Sequence, residues 1–327
     1  MRRLKLISTG GTIACIPSEN GLTPGLTGRQ LTEFIEADTR NTDFVDLFSM
    51  DSSNIQPEEW RVIALEVKKS VDEGYGGVII THGTDTMAYT SSMLSFMLLD
   101  IPIPVVLTGS QYPIVNPDSD GRKNLSDAFA AVRCMAGGIY VCFGGAVILG
   151  CRAVKTRTIS LGAFESINHP YLGAIFNNTF VELHPHGPRG AFRFFDDIDA
   201  RVALIKLIPG TSPKFLEMLL NCDIKGVVVE AFGLGGVHNF RRDHAESIKK
   251  LVRAGIPVVL TSQCLYESST PDIYEVSHSL KEAGVISAAD MTTEAAVTKL
   301  MYCLGQGEEI NGVRALMQKS LCSEIGA

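Results

Sequence analysis

Four short stretches concentrate small hydroxyl, glycine and acidic residues: Ser8-Thr9-Gly10-Gly11-Thr12, Met50-Asp51-Ser52-Ser53-Asn54, Thr81-His82-Gly83-Thr84-Asp85-Thr86 and Thr108-Gly109-Ser110-Gln111. Each offers hydroxyls, backbone amide donors and one carboxylate at most, and each follows a strand-like apolar run. In open α/β sheets, ligands bind outside the carboxyl ends of the strands. Four such loops therefore predict one shared site. Glycine suits it, because a missing side chain lets backbone N–H groups approach a ligand closely.

Several chemistries compete for these residues. His184-x-His186 is the one close histidine pair, but it lies in a proline-rich stretch and lacks the further ligands of a metal site. No Gly-Lys-Ser/Thr is present for a phosphate loop. Gly233-Leu234-Gly235-Gly236 follows a strand-like run as a dinucleotide turn would, yet His238 occupies the third glycine position. Ser-His-Asp catalysis would need a histidine beside the loops; His82 alone is placed for it, and it reads more readily as a structural turn histidine. The remaining chemistry is a threonine hydroxyl attacking a carbonyl. A hydroxyl needs a base, commonly a lysine or a water relay. Lys155, in Cys151-Arg152-Ala153-Val154-Lys155-Thr156-Arg157, is a candidate, with a solvated strand lysine as the alternative.

Short β-branched runs alternating with longer amphipathic segments position these loops, the pattern of βαβ units and a mainly parallel sheet. Strands are expected at Leu4 to Ile7, Val45 to Phe48, Val78 to Ile80, Val105 to Leu107 and Ile139 to Phe143. Helices are expected near Gln30 to Glu36, Glu58 to Val71, Met87 to Leu98 and Asn124 to Met135. Pro57 suits the first turn of the second helix, and Trp60, Ile63, Ala64 and Val67 recur at core-facing spacing. Two prolines and two glycines in Leu183 to Gly190 suggest a linker, after which the alternation resumes from Val202. The expected organisation is an N-terminal α/β domain over 1–182, a linker over 183–200 and a smaller C-terminal parallel-sheet α/β domain over 201–327. Ile103 to Thr108 and Ile256 to Thr261 share the run Ile-Pro-Val-Val-Leu-Thr.

A chain of 327 residues with 45% hydrophobic and 20% charged residues buries a large core without disulfides or metal. The net charge of −7 argues against nucleic acid as a partner, which usually meets a basic face. The basic start Met1-Arg2-Arg3 lacks a long apolar run, so no signal peptide is read. Cys134 to Cys151 is uncharged, but its five glycines divide it into two strands around Gly144-Gly145 rather than a membrane span. Eight cysteines without a Cys-x-x-Cys pair are expected as mostly buried thiols in a reducing cytosol.

Thr9-Gly10-Gly11-Thr12-Ile13-Ala14 and Thr81-His82-Gly83-Thr84-Asp85-Thr86-Met87 resemble the two signature motifs of the bacterial-type L-asparaginase family. Met50 to Asn54, Leu107 to Gln111, Ser119-Asp120-Gly121, the segment around Lys155, Thr261 to Cys264 and Ala289 to Ala295 resemble its cytoplasmic type I branch. The resemblance spans essentially the whole chain and implies a flavodoxin-like N-terminal sheet. It implies hydrolysis of L-asparagine to L-aspartate and ammonia, without cofactor or metal. Thr12 would be the nucleophile, with Thr84, Asp85 and Lys155 as the second catalytic group. Asp51, Ser52 and Ser53, with Thr84 and Asp85, would bind the substrate. Members assemble as homodimers or homotetramers, so an oligomer is implied, with no membrane or nucleic-acid partner.

Two departures from the family pattern stand out. Many relatives carry a tyrosine in the loop after the first motif, whereas Leu22 stands in its place here. Some cytoplasmic members have an allosteric asparagine site involving a threonine and an arginine; the equivalents here are Val154 and Glu230, so no such site is expected. Two other functions compete: an amidase subunit of a tRNA-dependent amidotransferase, and a non-catalytic amino-acid-binding sensor.

Overall fold

Leu4–Gly10 is buried along its whole length, as only a strand covered on both faces can be. This strand, β1, opens the chain in a computed structural model that describes residues 2–19, 21–269 and 275–326. The chain divides into two compact units, Met1–Asp196 and Asp197–Ala327. In the first, β1 is followed by a hairpin of β2 (Cys15–Ser18) and β3 (Gly21–Pro24), then α1 (Gly28–Leu31), β4 (Thr42–Met50), α2 (Pro57–Asp72), β5 (Gly77–Thr81) and α3 (Met87–Met97). Next come β6 (Leu98–Leu99), β7 (Pro104–Thr108), α4 (Gly121–Cys134), β8 (Gly138–Phe143) and β9 (Ala146–Leu149). The short strands β10 (Ala153–Lys155), β11 (Phe164–Ser166), β12 (Gly173–Phe176), β13 (Thr179–Glu182) and β14 (Arg193–Phe194) complete the unit.

Eight strands form one sheet in the order β13-β12-β9-β8-β7-β5-β1-β4. β4, β1, β5, β7 and β8 are parallel, while β9, β12 and β13 extend the edge antiparallel. In chain order the parallel strands run 2-1-3-4-5, the flavodoxin-like arrangement, whose crevice opens between the first and third strands. Those are β1 and β5, which carry the Thr12 and Thr84 loops. The turn joining β8 to β9 uses Gly144 and Gly145 at φ of 59° and 82°, as a two-residue hairpin requires.

Differences from the sequence reading are local. The helix expected over Gln30 to Glu36 is only Gly28–Leu31 followed by a 3₁₀ turn, Thr32–Phe34. A Thr27/Gln30 capping box starts it early, and the Thr32 hydroxyl donates back to the Arg29 carbonyl, a local bond that competes with helix continuation. Cysteines are less buried than expected. Cys15, Cys142, Cys151 and Cys303 are buried, Cys322 is intermediate, and Cys134, Cys222 and Cys264 are exposed, because these three lie where elements end. Within 183–200, Arg193–Phe194 pairs antiparallel with β6.

The second unit is an all-parallel sheet of β15 (Val202–Lys206), β16 (Gly226–Ala231), β17 (Val258–Ser262) and β18 (Ile286–Ser287), in that order. Helices α5 (Pro213–Met218), α6 (His244–Arg253), α7 (Glu275–Glu282), α8 (Thr293–Gly305) and α9 (Ile310–Gln318) accompany it. The shared run Ile-Pro-Val-Val-Leu-Thr contributes an internal strand to each sheet, β7 and β17.

An ion pair holds the end of this unit. Lys299 on α8 and Glu324 are fully buried and 2.5 Å apart. Lys299 also donates to the carbonyls of Met317 and Lys319, and Glu324 accepts from the Leu321 and Cys322 amides. Burial alone would raise the Glu324 carboxyl; the Lys299 charge and these donors more than reverse that and hold it below the usual carboxylate range. Lys299→Met should cost about 3–5 kcal/mol, because it strands a buried carboxylate. Urea unfolding at pH 7 measures this; an unchanged midpoint would show that the pair adds nothing.

Candidate active site

The four hydroxyl-rich loops meet through their glycines. Gly11 has φ +75°, and a Cβ there would lie 2.4 Å from the Gly83 nitrogen and 2.5 Å from its Cα. A Cβ on Gly83 would lie 2.5 Å from the Ser52 Oγ, and one on Gly109 would lie 2.2 Å from the His82 carbonyl oxygen. A loop with a side chain at any of these points could not close on its neighbour. The glycines thus serve loop-on-loop packing, a requirement the sequence reading did not include. Further bonds tie the same loops: the Gly11 amide donates to the Met50 carbonyl at 2.9 Å and the Thr86 hydroxyl to the Ser52 carbonyl at 2.7 Å.

Thr12 and Thr84 each directly follow one of the abutting glycines, so the two loops are joined one residue away from both hydroxyls. Thr12 is half-buried and opens a 3₁₀ turn, Thr12–Ala14, anchored by buried Ile13 and Ala14. Thr84 is nearly buried. Lys155, at the end of β10, donates from one Nζ to the Thr84 Oγ1 at 2.8 Å and the Asp85 Oδ1 at 2.6 Å. Its side chain is only 16% exposed, while that of Asp85 is 64% exposed. The solvated strand lysine is therefore not what forms.

Asp51 caps the 3₁₀ turn Ser52–Asn54, accepting from the Ser53 hydroxyl at 2.7 Å and the Ser53 amide at 2.8 Å. These two bonds hold its carboxyl below the ordinary range against a smaller opposing effect of burial. An exposed, ionised Asp51 and an exposed Ser53 thus border the loops, with buried Ser52 beneath. Leu22 lies on the β2–β3 hairpin, paired with Pro17 and 58% exposed.

His82 is structural. It is fully buried, with Nδ1 2.7 Å from the Gly83 carbonyl and Nε2 3.0 Å from the Thr90 hydroxyl, which accepts from the Trp60 indole at 3.0 Å. One consistent chain satisfies every group: indole N–H to Thr90, Thr90 O–H to Nε2, and Nδ1–H to Gly83. Burial pushes the imidazole from 6.5 down to about 4, with the Gly83 carbonyl opposing. The folded value is depressed, so the unfolded chain takes up a proton first as pH falls below 6.5. Stability is lost between pH 6.5 and 4, in total about 3 kcal/mol at about 1.4 per pH unit. Between pH 7.5 and 5 the wild type should lose about 2 kcal/mol more than His82→Gln in urea unfolding; parallel losses would contradict the assignment.

Two other sequence candidates take structural roles of their own. Gly233–Gly236 closes a turn through the Phe232–Gly236 bridge, and the next helix begins only at His244, so this glycine run enters no helix N-terminus. His186 packs edge-on against Tyr140 with ring centres 6.0 Å apart. Among the described residues, no three His, Cys, Asp or Glu side chains are grouped to hold a metal.

Residues supporting the site were less visible. Asp120, nearly buried, accepts the Gln111 and Tyr112 amides and the Asn124 side-chain amide, which also donates to the Gly109 carbonyl. This knot fixes the loop after β7. Gln111 then extends its carbonyl towards the Thr84 hydroxyl at 3.5 Å and donates to the Ser160 carbonyl. Only the run Ser119-Asp120-Gly121 hinted at it.

Family models match both units: that of the asparaginase N-terminal domain over residues 3–187, and that of the glutaminase/asparaginase C-terminal domain over residues 201–317. The chain belongs to the asparaginase family. An L-asparaginase of Thermococcus kodakarensis is 40% identical over 327 residues, covering 99% of each chain. The solved thermostable L-asparaginase of that organism gives a TM-score of 0.94 at 39% identity over 99% of each chain. The solved L-asparaginase I of Vibrio cholerae gives 0.85 at 28% identity, covering both chains fully. A glutamyl-tRNA(Gln) amidotransferase subunit of Metallosphaera sedula is 35% identical over 98% of this chain and 76% of its own. The two-unit α/β architecture is that of asparaginase structures.

Proposed function

We propose that this asparaginase-family chain hydrolyses L-asparagine to L-aspartate and ammonia through an acyl-enzyme on Thr12. The observation that carries the reading is Lys155 bridging Thr84 and Asp85 beside a backbone contact that joins the Thr84 and Thr12 loops. Thr12 Oγ attacks the carboxamide carbon while its proton passes to Thr84, whose own proton Lys155 takes up as it hands one of its ammonium protons to the Asp85 carboxylate. Backbone amides of the loops, including that at Thr84, stabilise the oxyanion. Collapse breaks the C–N bond, and the nitrogen leaves with the returned proton as ammonia. Water then attacks the ester, releasing aspartate and restoring the Thr12 hydroxyl.

Asp51, ionised through Ser53, suits the α-ammonium group, with Ser52, Ser53, Thr84 and Asp85 completing the substrate contacts. The N-terminus of α3, two residues beyond Asp85, adds positive potential for anionic groups. The thermococcal L-asparaginase matches at higher identity and over nearly all of both chains, which favours free amidase activity over an amidotransferase role. Among the described residues the cysteines form no disulfide, which suits a cytosolic setting, and no helix is long and apolar enough to cross a membrane. A homodimer or homotetramer is the proposed assembly.

A steady-state ammonia assay on asparagine and glutamine, run beside light scattering, tests this. Asparagine turnover with hyperbolic saturation at fixed oligomeric state is expected, Val154 and Glu230 standing where an allosteric threonine and arginine would be. Calorimetric asparagine binding without ammonia release would instead favour the sensor reading. Sigmoidal saturation would restore an effector site.

A further inference from the structure

In the second unit, the chain between β16 and α6 returns on itself, with the His244 and Ala245 amides both donating to the His238 carbonyl. The turn brings the two imidazoles together, ring centres 5.0 Å apart and planes inclined at 42°. His244 is fully buried. Its Nδ1 lies 3.1 Å from the Arg242 carbonyl, so Nδ1 carries the proton and Nε2 keeps a lone pair. That Nε2 and the Nδ1 of His238 are both buried without a hydrogen-bond partner. Buried nitrogens in this condition cost free energy unless something meets them.

We propose that His238 Nδ1 and His244 Nε2 share a divalent transition-metal ion of the zinc class. Zinc–imidazole bonds of about 2.0–2.1 Å at a tetrahedral centre place two ring centres about 5 Å apart, the observed separation. The bond from His244 Nδ1 to a backbone carbonyl is the outer contact that orients a metal-bound histidine and fixes its tautomer. Phe232 meets His238 edge-on at 5.2 Å, and Phe232 and Val237 pack onto the unit's core, giving the site an apolar wall. Nearby charge is of both signs: Asp243 favours a cation at His244 and Arg242 opposes it, while the Arg241 guanidinium lies over Phe240. Among the described residues no third His, Cys, Asp or Glu completes a larger cluster. Water fills the remaining positions, and binding is that of a two-imidazole site, clasping the turn before α6.

The test titrates zinc ion alone into tag-free full-length protein with exposed thiols carboxamidomethylated, by calorimetry at pH 7.5. One saturable site is expected, weakened more than about tenfold in His238→Gln and in His244→Gln, with the thermal midpoint rising on zinc addition only in the wild type. If buried His244→Gln does not fold, His238→Phe at the half-buried ring supplies the comparison. Cobalt in place of zinc should give tetrahedral visible absorption that the variants lack. Equal zinc uptake by wild type and variants, or no stoichiometric uptake by the wild type, overturns the proposal.

Discussion

Thr12→Val is expected to reduce ammonia release from asparagine on the order of 10⁴-fold while leaving the circular dichroism spectrum and the urea midpoint in place. The substitution exchanges one hydroxyl for a methyl of nearly the same shape, at a half-buried position whose anchors are Ile13 and Ala14. The packing of Gly11 on Gly83 is a backbone contact and survives the change. The covalent route is lost, because nothing remains to form the ester. Steady-state assays with purified protein measure the loss; turnover within tenfold of wild type would remove Thr12 from the nucleophile's role.

Lys155→Met should lower kcat by about 10²–10⁴, the usual contribution of a positioned proton-transfer group. It deletes both bonds of the Nζ at once, so Thr84 loses its donor and Asp85 its ion-pair partner. Lys155→Arg separates the two functions. Arginine keeps the positive charge and can still pair with Asp85, but it cannot give up its proton in a protein. Activity near wild type in the arginine variant would mean that charge alone matters and that Lys155 moves no proton.

Much of this was legible in the sequence. Buried parallel strands read as short apolar runs because neither face meets solvent, and the four loops were visible because each run ends in the same residue types. The convergence of those loops followed from the parallel sheet. What the sequence could not express is distance. The reason for Gly11, Gly83 and Gly109 lies in backbones brought together from residues far apart in the chain. The Asp120–Asn124 knot was hidden likewise, since a carboxylate accepting backbone amides leaves no periodicity. The β12–β13 hairpin was missed although Asn177-Asn178, both left-handed at φ 48° and 60°, carries a hairpin-turn signal. Its strands are short, and exposed Phe176 and Val181 blur the alternation.

Trapping the acyl-enzyme tests the central claim most directly. The protein is mixed with asparagine, quenched in acid within the first turnovers, digested, and the peptides are weighed. An aspartyl ester on the peptide carrying Thr12, absent from Thr12→Val, is the predicted result. An ester on the peptide carrying Thr84 instead, or steady turnover with no ester on either, would contradict it.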